Sequence, residues 1–226
     1  VFQFGGQSSH QRRWSLSVVF LFFGLAIGPW LMWTCDSIGT PVLTSQTGRF
    51  LWVGNNSATF SHYPADSIDR SEEQAWIGLS PEELDEVDRL STDEIKQSRW
   101  FARKGFHFMT SHPLMTVRGA LLKVMAAFSW RMSPAREGMI QLVYFLSYFP
   151  VSVLGVIGMF LTRRQWRQHC LIYLLFLSFV GLTAVFWGHT SHRSHLDVYW
   201  IIFAGYVIGR FAPARFSSLL AAPTSA

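Results

Sequence analysis

Four apolar runs, at 14–33, 139–161, 170–187 and 196–211, restrict this chain more than anything else in it. A helix rising ~1.5 Å per residue needs about 20 apolar residues to cross the hydrocarbon layer. The first three runs have that length, and the last is short. Half of the 226 residues are hydrophobic and 15% are charged, against about 25% charged in an ordinary soluble domain. The expected fold is mainly α: a polytopic membrane protein with about four transmembrane helices and one folded external loop domain containing amphipathic helices.

Charge placement orients the runs. Arg12 and Arg13 precede the first run, Arg163, Arg164 and Arg167 separate the second from the third, and Arg210 and Arg215 close the fourth. Basic residues favour the cytoplasmic side, and alternation through four spans needs that same grouping. The expected units are a cytoplasmic stretch and first span at 1–33, an external domain at 34–138, a three-span domain at 139–212 and a cytoplasmic tail at 213–226. Every Asp and Glu except Asp197 falls between Asp36 and Glu137. The net charge of +5 therefore reports topology, and the chain carries no nucleic-acid-binding signature. Cys35 and Cys170 fall on opposite faces in this topology, so they do not pair. The first run lacks the cleavage site of a secretory signal. Residue 1 is Val, which suggests a fragment, a processed product or the product of a truncated reading frame.

The 34–138 segment carries folding signals. Ser80-Pro81-Glu82-Glu83 has the residues of a capping box with Pro at the first helical position, and Ser91-Thr92-Asp93-Glu94 repeats the pattern. Ile95, Ala102, Phe106 and Met109 then recur at helical spacing. Pro113 ends that helix and can start another, where Leu114, Val117, Leu121, Met125 and Phe128 form a stripe with Arg118 and Lys123 off it. Such a helix either lies on the bilayer surface or packs within the external domain.

Two stretches carry candidate chemistry. The 48–63 segment runs strand-like into Gly54-Asn55-Asn56, a turn whose amides can bind hydroxyls or phosphate oxygens, or simply reverse the chain. Residues 188–200, GHTSHRSHLDVYW, place three His, an Arg and an Asp where the chain enters a membrane. Arg193 is either a bidentate phosphate ligand or an anchor that snorkels to the headgroups. His189, His192 and His195 could ligate zinc, although they lack the spacing of a hydrolytic zinc motif. The acidic run 82–88 could hold a divalent cation or form a solvated helix face. No nucleotide-type phosphate loop or serine-nucleophile elbow occurs.

Taken in order, Pro29-Trp30, Leu51-Trp52-Val53-Gly54-Asn55-Asn56, His112-Pro113, Lys123 before Trp130, and Arg193-Ser194-His195-Leu196 resemble a known pattern. It is that of bacterial membrane glycosyltransferases that use polyprenyl-phosphate sugars, relatives of protein O-mannosyltransferases and lipid A aminoarabinose transferases. The resemblance implies the C-terminal part of a C-type membrane fold in the bacterial inner membrane, with its large loop on the periplasmic side. It implies a polyprenyl-phosphate-linked sugar donor held by Asn55, Asn56, Lys123, Arg193 and His195, with membrane lipid as a further partner. The sugar would move to a cell-envelope acceptor that the sequence does not identify. The family's catalytic carboxylate lies in an earlier external loop with no counterpart here, so the chain alone is expected to be inactive. The other reading is a non-catalytic four-span protein that binds a partner or envelope lipid through its external domain.

Overall fold

The computed structural model describes residues 9–211; the expected tail at 213–226, with Arg215, and residues 1–8 lie outside them. The described chain is mainly helical, with no strand among the described residues: α1 (Ser9–Ile38), α2 (Thr47–Gly54), α3 (Ile68–Ile77), α4 (Pro81–Arg89), α5 (Glu94–Ser111), α6 (Pro113–Ala127), α7 (Gly138–Leu161), α8 (Trp166–Val185) and α9 (Ser194–Phe211). Three stretches are long and apolar enough to cross a membrane, Arg13–Ile38, Gly138–Leu161 and Arg163–Val185. They are compatible with an integral membrane protein. Little of them is buried, and Phe20, Leu142, Leu146, Leu174 and Leu177 point outward, as lipid-facing side chains do. The fourth expected span is a helix, α9, but it is not among the three; Ser194, His195, Asp197 and Arg210 make its ends polar.

Two apolar cores share one partition. Trp52, Val53, Tyr63, Ile68, Ala75, Val87, Trp100, Phe101 and Ala126 form the first, inside the α2–α6 unit. Ala127, Tyr148, Phe176, Phe179, Leu196 and Trp200 form the second, between α7, α8 and α9. Consecutive residues of α6, Ala126 and Ala127, belong to different cores, so this helix joins the unit to the bundle.

Several local expectations meet the structure directly. Ser80 and Glu83 close a reciprocal capping box with Pro81 at the first position of α4. Pro113 opens α6 after α5 ends at Ser111. Cys35 and Cys170 are free thiols. Three expectations are corrected. The apolar residues before Gly54-Asn55-Asn56 form helix α2, not a strand, with Gly48, Trp52 and Val53 on its buried side; a short apolar run does not reveal its own period. The cap of α5 is Asp93, which accepts from the Lys96 amide, in place of Ser91. The buried face of α5 is Trp100, Phe101 and Gly105, whereas Phe106 is exposed. Trp52 of α2 packs 5.0 Å from Phe101 and draws that face inward.

Helices α7 and α9 run parallel, with α8 antiparallel to both. Tyr144 meets Arg193, Gly155 meets Trp200 and Gly158 meets Phe203 in rising order along both chains, while Phe176 packs on Trp200 and His169 on Phe203. A Cβ at Gly158 would overlap the backbone carbonyl of Phe203, whereas one at Gly181 meets nothing within 4 Å. Overpacking of this kind costs about 1–3 kcal/mol. Gly158→Ala should therefore lower the thermal midpoint measured in detergent, and Gly181→Ala should leave it unchanged.

Candidate functional site

The Gly54-Asn55-Asn56 turn touches the C-terminal end of α8 at Val185 and Phe186, just before the histidine-rich stretch begins at Gly188. Asn55 donates from Nδ2 to the carbonyls of Leu51 (2.8 Å) and Val185 (2.7 Å). Gly54 approaches the Phe186 carbonyl so closely that any side chain would collide with it. Lys123, 1% exposed, donates from Nζ to Gly54 O (3.1 Å), Asn55 Oδ1 (3.2 Å) and Val185 O (3.2 Å). Burial pulls its ammonium down to about 8, which leaves it charged at neutral pH beside three oxygens. Asn56 shapes the turn: Nδ2 donates to the Trp52 and Val53 carbonyls and Oδ1 accepts from the Ala58 amide.

Arg193 is equally enclosed. Its Nη1 donates to the carbonyls of Ala127 (2.6 Å) and Ser129 (3.3 Å), its Nη2 to the Tyr144 hydroxyl, and its Nε to Asp197 (3.4 Å). The guanidinium lies 3.4 Å from the centroid of the Tyr148 ring. The cation thus caps the carbonyl end of α6, where helix partners run out, and ties it to α7 and α9. His195 stands apart, exposed, with its ring 5.4 Å from Phe179.

His189 and His192 do converge, with ring centroids 5.7 Å apart. The Ile68 amide at the start of α3 donates to His189 Nε2 (3.5 Å), which assigns the ring proton to Nδ1. From Nδ1 it is donated to Ser133 Oγ (2.9 Å), whose hydroxyl donates to the Pro64 carbonyl (2.8 Å). Beside it, Tyr63 donates to the Gly188 carbonyl (2.6 Å), and burial pushes this phenol up to about 12 against the opposing effect of that bond. Burial, and then the neighbouring His192, depress His189 to about 4, with Asp69 acting the other way; burial lowers His192 as well. His195 does not reach this pair. Among the described residues no three His, Cys, Asp or Glu side chains are grouped to hold a metal ion, so neither the histidine trio nor the 82–88 run forms such a site. Glu83 of that run pairs with Lys104, which with the Ser80 amide holds its carboxyl below the usual range.

The Asn55-Asn56-Ser57 turn borders two clefts. One, of about 250 Å³, is mostly apolar and is lined by Gly54, Asn56, Phe60, Phe108, Arg118 and Leu122. The other, of about 210 Å³, carries Ser57, Gln74, Lys104, His107 and His112. No Asp or Glu lines either cleft. Of the five expected donor-binding residues, the structure brings Asn55, Asn56 and Lys123 together at the turn. Arg193 lies behind them at the α6–α7–α9 joint, and His195 lies away from both clefts. Sequence reasoning did not place Arg118 in the site. The signal was its spacing of four from both Leu114 and Leu122, which sets it on the apolar face, the exposed side of α6.

Arg193→Met removes a donor from four acceptors, the Ala127 and Ser129 carbonyls, the Tyr144 hydroxyl and Asp197, and the buried Ala127 carbonyl left unpaired costs about 1–3 kcal/mol. The expected outcome is a large fall in the thermal midpoint measured in detergent. Acid tests His189. An unfolded histidine takes up its proton near pH 6.5, whereas the folded one waits until about 4, so the unfolded state binds more protons between these values. Stability is then complete above about pH 6.5 and declines as pH falls toward about 4. A series of thermal midpoints should show that decline weakened in His189→Gln.

No family model matches the chain, and neither a curated protein nor a solved structure matches it.

Proposed function

We propose that this chain is the donor-binding part of an integral-membrane glycosyltransferase that uses a polyprenyl-phosphate sugar and serves a cell-envelope acceptor. In this reading the chain crosses a bacterial inner membrane four times, α9 included, with the α2–α6 unit on the periplasmic side. The observation that carries it is the cleft at the Gly54-Asn55-Asn56 turn, with an apolar wall of Phe60, Phe108 and Leu122 and a cationic rim at Arg118. Among the described residues Arg118 makes no ion pair, so its guanidinium is free for a phosphate, which it can hold by charge-assisted bonds. An isoprenoid tail suits the apolar wall, and the sugar would lie toward Ser57, His107 and His112.

The reaction is displacement at the anomeric carbon. The acceptor oxygen forms the new bond, the bond to the polyprenyl phosphate breaks, and the acceptor proton goes to a general base. Arg118 would stabilise the departing phosphate. The clefts hold no carboxylate, so a carboxylate base in this reading comes from outside the residues that line them, and the chain supplies binding and orientation.

One observation favours the second reading, a non-catalytic membrane protein that binds an envelope lipid. The polar atoms of Asn55, Lys123 and Arg193 are engaged by the protein's own groups, as in a scaffold. The test is binding and transfer of a radiolabelled polyprenyl-phosphate hexose by the full chain in proteoliposomes. Donor binding is expected, and Arg118→Ala should weaken it about tenfold, the loss of one charge-assisted contact. Binding of phosphatidylglycerol in place of the polyprenyl-phosphate hexose selects the second reading. Binding indifferent to Arg118→Ala removes this cleft as the donor site.

A further inference from the structure

Helix α6 is amphipathic the wrong way round for a helix packed in a water-soluble unit. Its inward face holds Gly119, Lys123, Ala126 and Ala127, small residues and one cation. Its outward face carries Leu114 (86% exposed), Met115, Val117, Leu121, Leu122 and Met125, all exposed. Arg118 lies within that exposed arc, a correction to its expected place off the stripe, whereas Lys123 is off it and buried. A contiguous apolar face of this size marks a surface that water does not cover.

What covers it follows from where the inward face is fastened. Lys123 bonds the Val185 carbonyl at the last residue of α8, and Phe128 packs edge-on against Phe179, 5.6 Å between centroids. The C-terminal half of α6 therefore sits on the final two turns of a helix of membrane-crossing length, within about 10 Å of its end at ~1.5 Å per residue. On its other side, Trp130 packs edge-on against Phe145 and Phe149 in the first half of α7. The exposed stripe is thus held at the depth where α7 begins and α8 ends.

We propose that α6 is seated in the leaflet of the membrane that α7 and α8 cross, its stripe against acyl chains and Arg118 reaching up to lipid phosphates. Snorkelling of this kind keeps a guanidinium in the headgroup layer while its methylenes cover apolar surface. Met139 and Ile140, exposed at the start of α7, extend the same apolar surface from the span. The inference does not depend on sugar transfer: α6 can be seated whether or not the cleft beside it binds a donor.

The test uses the full chain in vesicles of phosphatidylethanolamine and phosphatidylglycerol, with Cys35 and Cys170 replaced by Ser. Single cysteines at Val117, Leu121 or Met125 carry an environment-sensitive fluorophore, and a label at Glu86 on α4 serves as the aqueous reference. Nitroxides on the lipid acyl chains should quench the three stripe positions several-fold more than Glu86, and aqueous iodide should quench them several-fold less. Iodide quenching equal to that at Glu86 overturns the proposal, because the stripe then faces water. Protection from both quenchers also overturns it, because a protein surface, such as a second copy of this chain, then covers the stripe.

Discussion

A single buried ammonium joins the α2–α6 unit to the end of α8. Lys123 reaches from α6 to the carbonyl that ends α2 and to the carbonyl that ends α8, two acceptors that lack helix partners because their helices stop there. Each helix end needs a donor, and the cation needs oxygens once it leaves water. The two requirements meet at one point, so the α2–α6 unit and the membrane-type helices are held at a defined position. Gly54 allows the close approach to Phe186, and Asn55 adds a second bond to Val185. The clefts exist because this junction leaves the Asn55-Asn56-Ser57 turn standing between α5 and α6.

Around that point the polar residues of the 188–195 loop act as fasteners. His189 satisfies the first free amide of α3 and, through Ser133, the Pro64 carbonyl. Arg193 satisfies the last carbonyl of α6, at Ala127, and that of Ser129 just beyond it. The density of polar side chains at a membrane entry, which reads in sequence as a binding site, is accounted for in good part by backbone groups at helix ends that have no other partner. The residues best placed to meet a ligand, Arg118, His107 and His112, come from α5, α6 and the residue between them instead.

The apolar runs, the Ser80 capping box and the break at Pro113 were legible in sequence because each is a local signal: composition, a reciprocal pair or a missing amide. The contact between the Gly54 turn and the end of α8 at Val185 and Phe186 was legible only as a shared side of the membrane, through the placement of arginines. Other features were hidden for a common reason. A stripe of Leu, Val and Met shows which residues share a face but not what solvent that face meets. In α6 the stripe turned outward, with Arg118 on it, while Lys123 stayed off it and was buried. The eight residues of α2 are too few for their period to be distinguished from that of a strand, and their helix is set by packing on α5. Near-complete burial of Lys123 and Arg193 was not readable, because their acceptors are carbonyls distant in sequence.

Arg193 draws together the close of α6, the flank of α7 and the opening of α9, with Tyr148 stacked beneath it. A guanidinium is planar and rigid, so these attachments hold fixed angles to one another as well as fixed lengths. Tilting the wall of the apolar cleft therefore turns the plane of that group, and α7 and α9 must rotate with it or give up bonds. Where the contacts of Lys123 and Phe128 tie the cleft to α8, this side chain gears it to α7 and α9.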